Sequence, residues 1–162
     1  MLTIGKTVVY PCQGPCRIGA LVHRVINDQP MMFYQLSVLA EGGGDLLIPV
    51  NKIDLLGLRP LLKKSEIPKL FDQLKQTAKP EGDYRQRRRD NTERLASGSA
   101  FDLAIVIESL TELRDTKMLS FGENKMLERA RRLLICEISE VTKQTREAAE
   151  MLVDTALQAR KI

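Results

Sequence analysis

Two rhythms divide the chain. Up to about residue 56, apolar residues come in short runs rich in β-branched side chains, broken by Pro, Gly and Asn. From Ser65 onward they recur every three or four positions. The first rhythm predicts strands and the second helices. Lys6–Tyr10 is a strand, ended by the turn signal Pro11-Cys12-Gln13-Gly14-Pro15. Arg17–Ile26 and Met31–Leu39, separated by Asn27-Asp28-Gln29-Pro30, predict a hairpin. Gly42-Gly43-Gly44-Asp45 makes the next turn, and Leu46–Val50 a short strand. Its Pro49 has no N–H for a ladder, so this strand is expected at a sheet edge.

In the helical part, Ile67, Leu70, Phe71 and Leu74 mark one helix. It ends near Thr77-Ala78-Lys79-Pro80-Glu81-Gly82, a Pro/Gly stretch that reads as a junction. Tyr84–Ser97 is the next helix, stopped by Gly98. Ser99 is a suitable N-cap, with Asp102 three residues on. The stretch from Phe101 to Leu113 is apolar almost all round, as a central buried helix is. Ser120-Phe121-Gly122-Glu123 is a capping box opening a long helix with inner residues Leu127, Ala130, Leu134, Ile138 and Val141. A last helix starts near Thr145 and is expected to bury Ala149, Leu152, Val153 and Ala156. The class is therefore α+β. A small SH3-like β-domain (1–60), a connecting helix and linker (61–82) and a compact all-helical domain (83–162) are expected.

Charge placement sharpens this division. The net charge is only +4, and the second half, residues 80–162, holds fifteen Lys/Arg against fifteen Asp/Glu. Yet Arg85, Arg87, Arg88, Arg89 and Arg94 crowd together, and Lys125, Arg129, Arg131 and Arg132 form a second knot. On helices, Arg85, Arg88 and Arg89 share one side, and Lys125, Arg129 and Arg132 stack at i, i+4, i+7. Two such stripes make either a clamp for phosphates or an ordinary solvated face. Tyr84, at the edge of the first stripe, is a ring either for pressing on a base or sugar or for packing on the bundle.

Other chemistry is sparse. Three cysteines is an odd count that argues against a disulfide framework and for a reducing cytoplasm. No apolar run approaches the roughly 18 residues that span a bilayer, and the first residues lack the features of a secretory signal. His23 stands alone in a strand, and Cys12 and Cys16 lack the Cys/His repeat of a zinc site. There is no phosphate-cradling Gly-rich loop and no nucleophile elbow. The expectation is a non-enzymatic protein with no metal and no cofactor.

Several blocks, in one order, resemble the bacterial CarD/CdnL family of transcription regulators. They are Gly5-Lys6-Thr7-Val8-Val9-Tyr10-Pro11 with Gly14, then Ile48-Pro49-Val50-Asn51-Lys52 and Gly57-Leu58-Arg59. In the second half they are Arg87-Arg88, Leu95-Ala96-Ser97-Gly98, Leu119 through Leu127, and Ala130-Arg131. The resemblance implies a Tudor-like N-terminal domain that binds the β subunit of RNA polymerase. It implies a helical domain that contacts promoter DNA at the upstream edge of the melted bubble, largely independently of sequence. The outcome would be a stabilised open complex at promoters served by the housekeeping sigma factor.

By position, the resemblance makes Arg24, Leu47, Ile48 and Pro49 polymerase-facing, and Tyr84, Arg87, Arg89, Asn124 and Lys125 DNA-facing. The basic stripes add Arg85, Arg88, Arg129 and Arg132. The chain departs from its relatives in having Tyr84 where many carry a tryptophan wedge, Gln86 where an arginine is common, and Leu47 where some are basic. A monomer is expected, with no membrane partner. The alternative is a helical, non-specific DNA-binding protein whose β-domain grips something other than polymerase. A transcription–repair coupling helicase would need a P-loop motor that these residues lack.

Overall fold

The computed structural model describes residues 2–76 and 82–160; the expected junction over 77–81 lies outside them. The first half is one antiparallel sheet of five strands, in the order β4-β3-β2-β1-β5. Strand β1 (Thr7–Tyr10) pairs with β2 (Gly14–Ile26), which turns back into β3 (Gln29–Val38). That reversal uses two residues, Asn27 and Asp28, at φ 52° and 62°. Both are types that tolerate the left-handed region, and the two-residue turn matches strand twist. The predicted turn absorbed Gln29 and Pro30, but these continue the ladder, pairing with Ile26 and Val25. Between Ile18 and Leu21 the register slips by one residue, a bulge of the kind that increases local strand twist. Strand β4 (Asp45–Pro49) lies beside β3 at the edge, where Pro49 predicted it. A two-residue β5 (Arg59–Pro60) closes the other side. Alternation places Cys16, Ile18, Tyr34, Leu36 and Ile48 in a small core.

The helices are α1 (Ile67–Leu74), α2 (Tyr84–Ser97), α3 (Ala100–Thr116), α4 (Phe121–Thr142) and α5 (Arg146–Ala159). Local chemistry sets their ends. Asp83, Ser99, Ser120 and Thr145 each accept the N–H three residues on, and Gly98 ends α2 at φ +80°. Helix α3 is the buried centre: Ala104, Val106 and Ile107 are fully covered. Helix α1 precedes that half of the chain but joins its core, with Leu70 and Leu74 fully buried among α3 and α5. On α5 the buried face is Ala149, Val153, Ala156 and Leu157. Leu152 was expected inside but is exposed. It lies at the margin of that stripe, next to buried Val153.

Sheet and bundle are docked. A Cβ on Gly14 would lie 2.9 Å from Leu133 of α4, and one on Gly98 would lie 3.0 Å from Pro11, so the β1–β2 turn seats against both helices. Arg59 of β5 reaches across, with two guanidinium nitrogens 2.8 and 2.7 Å from the Glu137 carboxylate and a third on the Gly98 carbonyl. Glu137 also accepts the Leu62 N–H at 2.9 Å. Its side chain is 1% exposed, so this is a bidentate pair on a buried carboxylate with a backbone donor beside it. Fold class is as expected: α+β, a small antiparallel sheet followed by helices.

Candidate nucleic-acid surface and partner edge

Helix α2 is almost wholly polar; Asn91 is its one buried residue. It begins where Asp83 accepts the Gln86 N–H at 2.9 Å, which puts the Arg85–Arg89 run in its first two turns. Tyr84 leans on the start of α4, its hydroxyl 3.4 Å from Ser120 Oγ and 3.4 Å from a nitrogen of Arg88. The guanidiniums of Arg87 and Arg88 lie 6.0 and 5.9 Å from its ring centre. The ring is 44% exposed, so it is a surface residue braced on one side.

The four arginines then part company. Arg87 turns inward, 12% exposed, with its Nε 3.6 Å from the buried Glu123 carboxylate. Arg88 lies over Gly122, whose missing side chain leaves the space the guanidinium fills. Arg85 and Arg89 stand in solvent with no ion pair among the described residues. Across from them on α4, Asn124 Nδ2 donates to the Leu119 carbonyl at 3.3 Å. Lys125 is open, 3.9 Å from the exposed Glu128 and 5.3 Å above the Phe121 ring. Tyr84, Arg85, Arg87, Arg88, Arg89, Asn124 and Lys125 therefore share one surface, made by the N-terminal turns of α2 and α4. Arg129 sits apart, donating to the Cys12 carbonyl at the joint with the β-domain. Arg132 is exposed beside it in a mixed-charge groove with Glu41, Glu128 and Glu147. Arg131 pairs with Asp154 and Glu150 of α5.

The second surface is the open side of β4. Val38 N–H bonds the Gly44 carbonyl at 2.8 Å, and the same register runs on through Leu36↔Leu46 and Tyr34↔Ile48. Antiparallel pairs alternate, so Asp45, Leu47 and Pro49 direct their backbone groups away from β3. Pro49 thus loses no ladder bond. Arg24, Leu47 and Pro49 fall on one face of the sheet, since Arg24 opposes Met31, Leu47 opposes Gln35 and Pro49 opposes Phe33. Ile48 faces the other way, 9% exposed in the β-domain core. Period-two alternation therefore sets the Ile48 side chain apart from those of Leu47 and Pro49.

Two of the three thiols, those of Cys16 and Cys136, are buried. Burial pushes both Cys16 and Cys136 up to about 11; for Cys16 the neighbouring Cys136 adds to the rise, and for Cys136 Arg146 partly opposes it while Glu140 and Glu137 add. Both remain protonated and unreactive near neutrality. Cys12 Sγ approaches the Leu95 carbonyl, Cys16 Sγ the Gly14 carbonyl, and His23 is exposed on the hairpin. Among the described residues no cluster of His, Cys, Asp or Glu is placed to hold a metal, and no helix is long and apolar enough to cross a membrane.

Sequence reasoning missed three participants. Glu137 carried a signal, a carboxylate between Leu134 and Ile138 on an otherwise apolar face. Its partner Arg59, 78 residues earlier, stood out only as the end of the Gly57-Leu58-Arg59 block, with nothing to pair it with Glu137. Phe121 was visible only as a helix start, although it is 79% exposed beside Tyr84's partner Ser120.

Comparison with known proteins matches this arrangement domain by domain. Residues 2–62 match the CarD-like/TRCF RID domain, and residues 69–154 match the C-terminal domain of CarD. YdeB, a candidate transcription factor of Bacillus subtilis (strain 168), is 28% identical over 145 residues, spanning 85% of this chain and 90% of that protein. The solution NMR structure of the 72-residue N-terminal domain of Myxococcus xanthus CarD is 32% identical over 37% of this chain and 79% of that one, with a TM-score of 0.30.

Proposed function

Because the chain belongs to the CarD/CdnL family, we propose that it regulates transcription initiation by gripping the RNA polymerase β subunit with the open edge of β4 and promoter DNA with the α2/α4 surface. The observation that carries this reading is the pairing, on one docked body, of an unpaired edge strand and an exposed basic surface. The edge offers the outward backbone groups of Asp45 and Leu47 to a strand of the β subunit, with the exposed Leu47 and Arg24 giving side-chain contacts on one face. Arg85, Arg89 and Lys125 neutralise phosphates, which gives affinity without sequence preference.

Neither contact needs to be strong. Docking on polymerase turns the DNA contact into an intramolecular one, raising its effective concentration. Tyr84, braced by Ser120 and Arg88, abuts the upstream edge of the bubble. Contacts made only to the melted form favour it, and the open complex lives longer. Such a role requires no catalysis, cofactor or metal, and one copy acts per polymerase.

The edge is tested by Leu47→Pro, which deletes one outward N–H while leaving the bonds to β3 in place, and by Arg24→Glu. Each should weaken capture of a purified β-subunit fragment about tenfold or more, with the circular dichroism unaltered. Full binding by both variants would refute this edge. The chain would then be a non-specific DNA-binding protein whose β-domain holds a different partner.

A further inference from the structure

We propose that Phe121, with Met118 beside it, is a base-stacking element that recognises unpaired DNA at the junction between duplex and single strand. The proposal rests on the reading that the α2/α4 surface binds DNA, and it names the side chains there that read the opened strand.

The turn between α3 and α4 places two large apolar residues in water, Met118 at 93% and Phe121 at 79% exposure. Tyr84 is less open, at 44%, with its hydroxyl against Ser120 and Arg88. Local structure gives no reason for the exposure. Phe121 is the first residue of α4, a helix already capped by Ser120 and Glu123, whose reciprocal bonds are 3.1 and 3.4 Å. The adjoining Leu119, by contrast, is 5% exposed and anchors the turn in the core. The turn, anchored by Leu119 and the Ser120–Glu123 cap, therefore carries two apolar side chains that the fold leaves in water.

Charge decides what fits on it. Lys125 Nζ lies 5.3 Å over the Phe121 ring, Arg88 fills the space above the next residue, Gly122, and Lys117, next to Met118 in the chain, is exposed. The nearby carboxylates are engaged: Glu123 is buried beside Arg87, Glu128 lies near Lys125, Asp115 pairs with Arg160, and Asp83 caps α2. Exposed apolar side chains with Lys125 and Arg88 beside them suit a polyanion that also presents flat apolar faces. Duplex DNA hides those faces in its stack, whereas an unpaired base offers one. Phe and Met are both side-chain types that enter a disrupted base step. Tyr84, joined to Ser120, forms the shelf next to that step.

The chain contains no tryptophan, so Phe121→Trp creates a single reporter. The probes are a forked oligonucleotide with one unpaired arm and a fully paired duplex of the same length. Emission from Phe121→Trp should be quenched by the fork and barely altered by the duplex. Phe121→Ala should lower fork affinity about tenfold, as loss of one stacked base does, and leave duplex affinity and melting temperature unchanged. An unchanged fork-to-duplex ratio in Phe121→Ala overturns the proposal, as does equal quenching by both probes. Emission that shifts with protein concentration in the absence of DNA also overturns it, in favour of a second copy on this patch. If the unaltered chain binds neither probe, the DNA-binding reading fails and this inference with it. If it binds both and only the ratio is insensitive to Phe121, this inference alone fails.

Discussion

At the joint between sheet and bundle, and on the surface of α2, the same side chain meets opposite surroundings. Arg59 has its guanidinium committed to Glu137 and a backbone carbonyl, and Glu137 is 1% exposed. Arg85 and Arg89 stand in solvent with no ion pair among the described residues. Both regions carry arginine, but at the joint it meets a carboxylate removed from water, and on α2 the charges stay solvated. A bidentate pair on a buried carboxylate holds two domains in register, because losing the arginine strands the carboxylate. A solvated arginine adds little stability and keeps its donors for a ligand. Arg87 lies between these limits, mostly covered and facing Glu123.

The sharpest way to break the comparison is at the joint. Arg59→Met would leave the Glu137 carboxylate buried with only the Leu62 N–H. Stability should fall by about 3 kcal/mol, the low end for breaking a buried pair because Arg59 is itself 24% exposed. In a chain of this size that is roughly 6–12 °C in Tm. A loss under about 1 kcal/mol in chemical denaturation would mean that the apolar seat of Gly14 on Leu133 holds the domains instead.

A smaller effect should split the α2 arginines. Arg87→Ala removes the cation beside buried Glu123, while the Ser120 cap remains, so the cost should be about 1–2 kcal/mol. Arg89→Ala should change stability by less than about 0.5 kcal/mol. It should instead weaken DNA binding for all sequences alike and flatten the salt dependence by about one unit. Equal melting temperatures for the two variants would erase the distinction drawn from their burial.

What could be read in advance was whatever a few neighbouring residues decide. The bounds of α2 follow from Asp83 and Gly98, and the start of α4 from Ser120 with Glu123, since caps act within four residues. The edge position of β4 followed from one proline. Where a side chain points depends on what arrives from elsewhere. Arg87 and Arg89 are indistinguishable in a run of arginines until α4 brings Glu123 under one of them. Ile48 is the instructive case, because alternation alone separates it from Leu47 once a strand is accepted there. Leu152 shows the converse, an apolar residue at helical spacing that the bundle leaves uncovered.

The smallest change concerns Gly122, and it tests whether that glycine serves the helix or the arginine above it. Glycine inside a helix costs up to about 1 kcal/mol relative to alanine, less near an end, so α4 would fold better without it. Its backbone needs no unusual angle, being ordinary helix. A Cβ there would fall 1.6 Å from Arg88 Nη1 and 2.8 Å from Cζ, the far end of a flexible side chain. Gly122→Ala should therefore push the guanidinium into solvent without disturbing the bundle, leaving stability level or up to about 1 kcal/mol higher. Arg88 would lose its place against Tyr84, so DNA binding should change as it does in Arg88→Ala. Because both substitutions remove the same contact, the double variant should bind no worse than either single one. Additive losses would show that Arg88 works from another position, and a destabilised Gly122→Ala would show that the glycine is there for the packing of α4 on α2.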